Sequence, residues 1–152
     1  MVTVLTGKVE VGQNARTSFT AAVAEELRVQ PYMIKVVMGD TDLVPYDRGT
    51  FGSQSTPQMV PQLRRAAATM REALVDMAAE KLGVSRDSLT VAEGKVSGCG
   101  GTMTFGELVG DKKITNVIPR EVALTPPDKW TVILSPSQCA KAARGSSGAW
   151  AM

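Results

Sequence analysis

Two short stretches of the chain combine residue types suited to holding an anion. The first is Gly7-Lys8-Val9-Glu10-Val11-Gly12-Gln13-Asn14, where a β-branched run meets Gly12 and a turn leads into a helical pattern. Successive backbone N–H groups in such a turn point outward, and a helix N-terminus behind them favours negative charge. Gln13 adds an amide that both donates and accepts. A plain strand–turn–helix connection uses the same residue types, so both readings stand at this point. The second stretch is Gly49-Thr50-Phe51-Gly52-Ser53-Gln54-Ser55-Thr56-Pro57. Its glycines, its hydroxyls and the amide of Gln54 precede the longest helical pattern in the chain, an uncharged way to hold phosphate or a polar ligand. The alternative is that Ser55 or Thr56 simply caps that helix.

The remaining composition narrows the chemistry. There is no histidine, and the two cysteines are Cys99 and Cys139. One pair of cysteines cannot complete a four-ligand zinc or iron–sulfur site. Without histidine, Ser-His-Asp and Cys-His nucleophiles are excluded. Asp40, Asp42 and Asp47 lack the spacing and terminal glutamate of a calcium loop and read as turn formers. Glu10, inside a strand pattern, reads as an outward, solvated residue. No residue is assigned to catalysis or to a metal. A net charge of +2 from 17 basic and 15 acidic side chains, with 5% aromatic residues, argues against nucleic acid as a partner. No apolar run approaches the ~20 residues of a membrane helix, and the N-terminus lacks a signal-peptide pattern. We therefore expect no membrane association, a cytoplasmic chain and free thiols. What is left is carboxylate chemistry, a cofactor, or no chemistry.

The elements that position the two stretches follow from periodicity. A chain of 152 residues with 43% hydrophobic and 21% charged residues is one domain with a real core. Residues 2–11 read as a strand ending at Gly12. A helix follows, capped by Thr17 or Ser18, with Phe19, Ala22, Val23 and Leu27 on one face, stopping near Gln30 because Pro31 follows. Residues 32–38 read as a second strand, compatible with a parallel crossover unit. Residues 39–57 lack periodicity, and a loop that long inside a domain is functional or disordered. A helix over 57–81 carries Leu63, Ala66, Ala67, Met70, Leu74, Met77 and Ala78 as one stripe, with Pro57 and Pro61 near its first turn and Gly83 after its last. Residues 89–91 and 95–97 suggest a hairpin, 98–101 a flexible stretch, 104–108 a helical turn, and 130–134 a last strand. The fold class is α+β, a small mixed sheet with two main helices packed on it. Residues 1–134 form the domain, and the Ser-, Gly- and Ala-rich residues 135–152 are expected to be a flexible tail.

The ordered motifs resemble a known family. Gly7-x-Val9-Glu10-Val11-Gly12-Gln13, then Ala15-Arg16-Thr17 and a helix ending Ala24-Glu25-Glu26-Leu27, is similar to the molybdenum hydroxylase large subunits of the xanthine dehydrogenase, aldehyde oxidase and isoquinoline 1-oxidoreductase type. So is Val37-Met38-Gly39-Asp40-Thr41-Asp42-Leu43-Val44-Pro45 followed by Gly49-Thr50-x-Gly52-Ser53-x-Ser55-Thr56. The resemblance covers residues 5–110, and Pro126-Pro127-Asp128-Lys129-Trp130 continues it. It implies molybdopterin, the molybdenum cofactor, as ligand, with Gly12, Gln13 and Asn14 on one side and Gly52, Ser53, Gln54, Ser55 and Thr56 on the other. It implies hydroxylation of aldehydes or N-heterocycles by the whole enzyme. The family pattern has glycine where this chain has Asn14 and Arg28. Its Gly-Glu-Pro-Pro-like catalytic motif and its second Gly-rich cofactor loop have no counterpart here. We therefore expect a free-standing piece of the cofactor-binding domain, inactive alone, whose partners are the remaining parts of a large subunit or a second copy in a homodimer. The alternative is a non-enzymatic binding or self-association module.

Overall fold

The computed structural model describes residues 1–111, 114, 115, 117–119 and 121–133. Its first unit is strand β1 (Val2–Thr6), helix α1 (Ala15–Leu27) and strand β2 (Ile34–Met38). The two strands pair in parallel, from Val2 opposite Ile34 to Thr6 opposite Met38. β1 is shorter than the apolar run because the chain leaves the sheet at Gly7. A Cβ there would lie 2.4 Å from Asp47 Cβ and 2.6 Å from Pro45 O, so only glycine lets the two loops cross. α1 starts at Ala15, before the expected Thr17 or Ser18 cap, and ends on Arg28 in the left-handed region. Pro31 then opens a 3-10 turn (Pro31–Met33), which delays β2 to Ile34.

Helix α2 (Ser55–Leu82) begins two residues earlier than periodicity suggests, so Pro61 falls in its second turn. A proline there removes one backbone donor. Gly83 takes the left-handed C-cap at φ 66°. α2 buries Leu63, Ala67, Ala68, Arg71, Leu74, Val75 and Ala78, and its small alanines let α1 pack closely. Phe19, Val23 and Leu27 of α1, Val29 and Val36 complete the first core cluster with Leu63, Ala67 and Val132. Each such large apolar side chain, fully buried, contributes about 1.5–3 kcal/mol.

The second half of α2 covers a three-stranded antiparallel sheet, β3 (Thr90–Ala92), β4 (Lys95–Gly98) and β5 (Gly101–Thr104). The fold is thus α+β with its parallel and antiparallel pairings in two small sheets. The stretch expected to be flexible at 98–101 is instead the tight turn joining β4 to β5, with Gly98 paired to Gly101 across Cys99-Gly100. Helix α3 (Phe105–Val109) follows, opened by a capping box of Thr104 and Glu107. Leu74, Val75, Ala78, Val91, Val96 and Leu108 form the second cluster, with Met70 and Phe105 touching both.

The strand expected at 130–134 does not form among the described residues. Pro127–Lys129 is a 3-10 turn. The N–H groups of Thr131, Val132 and Ile133, which a ladder would need, donate to the carboxylate of Glu25. Val132 is buried in the core instead. Leu134, Cys139 and the expected tail from Ser135 lie outside the described residues.

Candidate functional site

Because β1 and β2 run in parallel, both carboxyl ends lie at one edge of the sheet. Residues 7–14 leave from β1 and residues 39–54 from β2 at that edge, the usual place for a ligand in parallel α/β units. The roots of the two loops are fastened to each other. Lys8 Nζ donates to Asp47 Oδ1 at 2.8 Å and to Gly49 O at 2.7 Å. Val9 N–H donates to Thr50 Oγ1 at 2.8 Å. The Lys8 and Asp47 side chains are 6% and 14% exposed, so this ion pair holds two otherwise isolated charges. Partial burial pushes the Asp47 carboxyl up, but the hydrogen bonds from Lys8 and from Gly49 N–H outweigh it and hold the group below its ordinary value.

Glu10 is not the solvated strand residue expected. Its carboxylate accepts from the N–H groups of Arg16 at 2.9 Å and of Gly12 and Asn14 at 3.0 Å. The Arg16 N–H contributes most to lowering its pKa. Desolvation opposes this, and Gly12, Asn14 and the Arg16 charge add to the lowering. The chain thus supplies its own anion to the first turn of α1. Gln13 is also turned inward on its loop: Oε1 accepts from Val11 N–H at 2.7 Å and Nε2 donates to Val9 O at 2.9 Å. Asn14 sits at φ 56°, ψ 28°, a left-handed conformation that asparagine tolerates. Arg28 does the same at φ 54°.

The second loop differs. Gly52 and Ser53 have φ of 60° and 56°. Gln54 is the N-cap of α2, and among the described residues no side chain caps that end. Ser55 is buried as the first helical residue, Thr56 is exposed, and neither is the cap expected. Pro57 has no N–H and Gln58 N–H donates to Gln54 O. The start of this 28-residue helix therefore offers the N–H groups of Ser55 and Thr56 and the exposed hydroxyls of Ser53 and Thr56, with no acidic residue in its first turn. The donor set at 52–56 fits an anionic group such as a phosphate. At 12–14 an anion competes with Glu10.

Hydrogen bonds among the described residues join 8–9 to 47–50, and none joins Gly12, Gln13 or Asn14 to the 52–56 loop. Exposed apolar side chains surround this edge: Leu5, Val9, Val11, Leu43, Tyr46 and Phe51. An apolar cleft of about 650 Å³ lies elsewhere, between Leu27, Val29, Met33, Met70, Leu74 and Phe105, and none of the candidate residues lines it. Among the described residues no group of three or more His, Cys, Asp or Glu is arranged to hold a metal, and no helix is long and apolar enough to cross a membrane.

Sequence reasoning missed a buried charge cluster at the end of α1 opposite to the one that carries the first loop. Glu25 and Glu26 of α1 are buried, as is Arg71 of α2. Glu26 meets Arg64 at 2.7 Å and Arg71 at 3.2 Å, and accepts from Thr125 N–H and Oγ1, both at 3.0 Å to Oε2. The signal was available: two adjacent glutamates inside an apolar helix pattern, and arginines seven apart, hence on one helix face.

Comparison with known proteins agrees with the motifs. The family model described as the molybdopterin cofactor-binding domain matches residues 1–149. A nicotinate dehydrogenase subunit of Pseudomonas putida is 37% identical over 113 residues, covering 74% of this chain and 10% of its own length. Quinoline 2-oxidoreductase from Pseudomonas putida 86 superposes with a TM-score of 0.59 at 25% identity, covering 71% of this chain and 14% of that one. CO dehydrogenase from Oligotropha carboxidovorans gives 0.57 at 28% identity, with 67% and 13% covered. The chain therefore spans only 10–14% of the length of these relatives. With its motifs, its fold and its match over nearly all residues in agreement, the chain belongs to the molybdopterin cofactor-binding domain family of the molybdenum hydroxylases.

Proposed function

We propose that this chain supplies part of the anion-holding cradle of a molybdenum hydroxylase large subunit and does not turn over substrate alone. The observation that carries this reading is the pinning of the two loop roots to each other, Lys8 to Asp47 and Gly49, and Val9 to Thr50, beneath a helix start free of a side-chain cap. Ser53, Ser55, Thr56 and the N–H groups at the start of α2 would hold the anionic end of molybdopterin. Gln13 would reach it once its amide leaves Val9 and Val11. When bound, the cofactor supplies the redox chemistry. The chain's own residues bind and orient it. No Gly-Glu-Pro-Pro-like segment is present to place a catalytic carboxylate, and family-type hydroxylation needs a base to activate the attacking oxygen.

The relatives' names supply the reaction class as a proposal, oxidation of an N-heterocycle or aldehyde by the complete enzyme. The remaining parts of a large subunit are the partner we favour, because the exposed apolar side chains gather at the same edge as the two loops. A homodimer is the second reading, and what supports it is β1 lying at the edge of a two-stranded sheet. The run from Trp130, with Val132 in the core, is not part of that surface. Metal and pterin analysis of the chain purified from a molybdenum-replete host tests the reading. We expect cofactor only when the remaining large-subunit segments are co-expressed, with no dye reduction by the chain alone. Steady oxidation of an aldehyde or N-heterocycle by the pure chain would overturn it.

A further inference from the structure

Residues 123–133 lie across α1 and α2 as a strap, and their polar groups converge on two adjacent carboxylates. Glu25 accepts from Thr131 N–H at 2.8 Å, Val132 N–H at 2.9 Å and Ile133 N–H at 3.1 Å. Glu26 takes Thr125 through its N–H and hydroxyl and pairs with Arg64 and Arg71 of α2. Arg71 also donates to Ala123 O at 3.1 Å, Thr125 Oγ1 at 3.2 Å and Glu26 O at 2.9 Å. Trp130 closes the strap on itself, its Nε1 donating to Thr125 O at 3.0 Å, with the Arg64 guanidinium 5.3 Å from its ring centroid.

The two glutamates differ in what they connect. Glu25 joins α1 to the strap alone. Glu26 joins α1, the strap and, through both arginines, α2. α1 and α2 carry the two candidate loops at their N-termini. We infer that Glu25 is a local latch for the end of the strap, and that Glu26 is a positioning residue that fixes α1 against α2 and so fixes the spacing of the two loops. The importance of that spacing for a ligand rests on the proposed function. The latch and the spacing do not, and their test reads no ligand.

The test uses the full chain with Cys99→Ser and Cys139→Ser. Nitroxides at Thr17→Cys and Gln58→Cys, both exposed, report the distance between the two helix starts. Amide exchange reports the strap. In Glu25→Gln one carboxylate oxygen is lost as an acceptor. Exchange at Thr131, Val132 and Ile133 should rise roughly tenfold or more, the scale of a lost hydrogen bond to a charged group, with the helix-to-helix distance distribution unchanged. In Glu26→Gln that distribution should broaden. If Glu26→Gln does not fold, Thr125→Val decides. It removes the hydroxyl shared by Glu26 and Arg71 while keeping the N–H, and should broaden the distribution to a lesser degree. Unchanged exchange in Glu25→Gln overturns the inference. So does equal broadening in the Glu25 and Glu26 variants, or a wild-type distribution in both Glu26→Gln and Thr125→Val.

Discussion

Replacing Arg71 with methionine should remove about 3 kcal/mol of stability. Its side chain is 8% exposed and Glu26 is fully buried. Removing one member of a buried ion pair typically costs 3–5 kcal/mol, because the other charge is left without compensation. Here Glu26 keeps Arg64 at 2.7 Å and the Thr125 N–H, which places the effect at the low end. The carbonyl oxygens of Glu26 and Ala123 lose a donor as well. A loss of about 3 kcal/mol is a large share of the 5–15 kcal/mol that holds a domain of this kind together. In urea, with a slope of about 2 kcal/mol per molar, the midpoint should fall by about 1.5 M with the slope unchanged. Glu26→Gln combined with Arg71→Met should be non-additive by about 1 kcal/mol or more, since the two groups touch. A loss below about 1 kcal/mol in Arg71→Met, or strict additivity in the double variant, would refute the buried-pair reasoning behind these values.

Acidification should release Asp47 from Lys8, which links the two loops, and Glu10 from the turn that leads into α1. Glu10 and Asp47 both titrate below their ordinary values in the folded chain. Their contribution to stability is therefore complete above the ordinary carboxylate range of about 4 and is lost as pH falls through the lowered folded values. Amide resonances of Gly12, Asn14 and Arg16 should move together in that acid window, and their constancy down to global unfolding would contradict the Glu10 contacts. Gly83→Ala should destabilise by about 1 kcal/mol. The added Cβ meets nothing within 4 Å, so the left-handed backbone alone carries the effect; a neutral melting temperature would show that the helix end relaxes.

Much of the fold was legible because its signals are local. The stripe from Leu63 to Ala78 and the glycine at 83 announce α2; Asn14 and Arg28, which stand where the family pattern has glycine, are found in the left-handed region. The strand expected at 130–134 failed because apolar residues with β propensity say nothing about where their N–H groups go. Those of Thr131, Val132 and Ile133 go to a carboxylate more than a hundred residues earlier in the chain. β5 was missed because a short run between glycines carries too little pattern to outweigh them. At the candidate site, residue types indicated two donor-rich turns. They did not reveal that Glu10, four residues from Asn14, already fills the first. That depends on a backbone reversal at Gly12 that residue types alone do not specify.

The most direct test of the central claim is a titration of the isotope-labelled chain with inorganic pyrophosphate, followed at every backbone amide. We expect saturable shifts at Gly52, Ser53, Gln54, Ser55 and Thr56, a smaller response at Gly12, Gln13 and Asn14 because Glu10 competes there, and weaker binding in Ser53→Ala. In Glu10→Gln the 12–14 response should strengthen, because the competing carboxylate is gone. Shifts confined to other parts of the surface, or a 52–56 response with 12–14 silent in both wild type and Glu10→Gln, would contradict it.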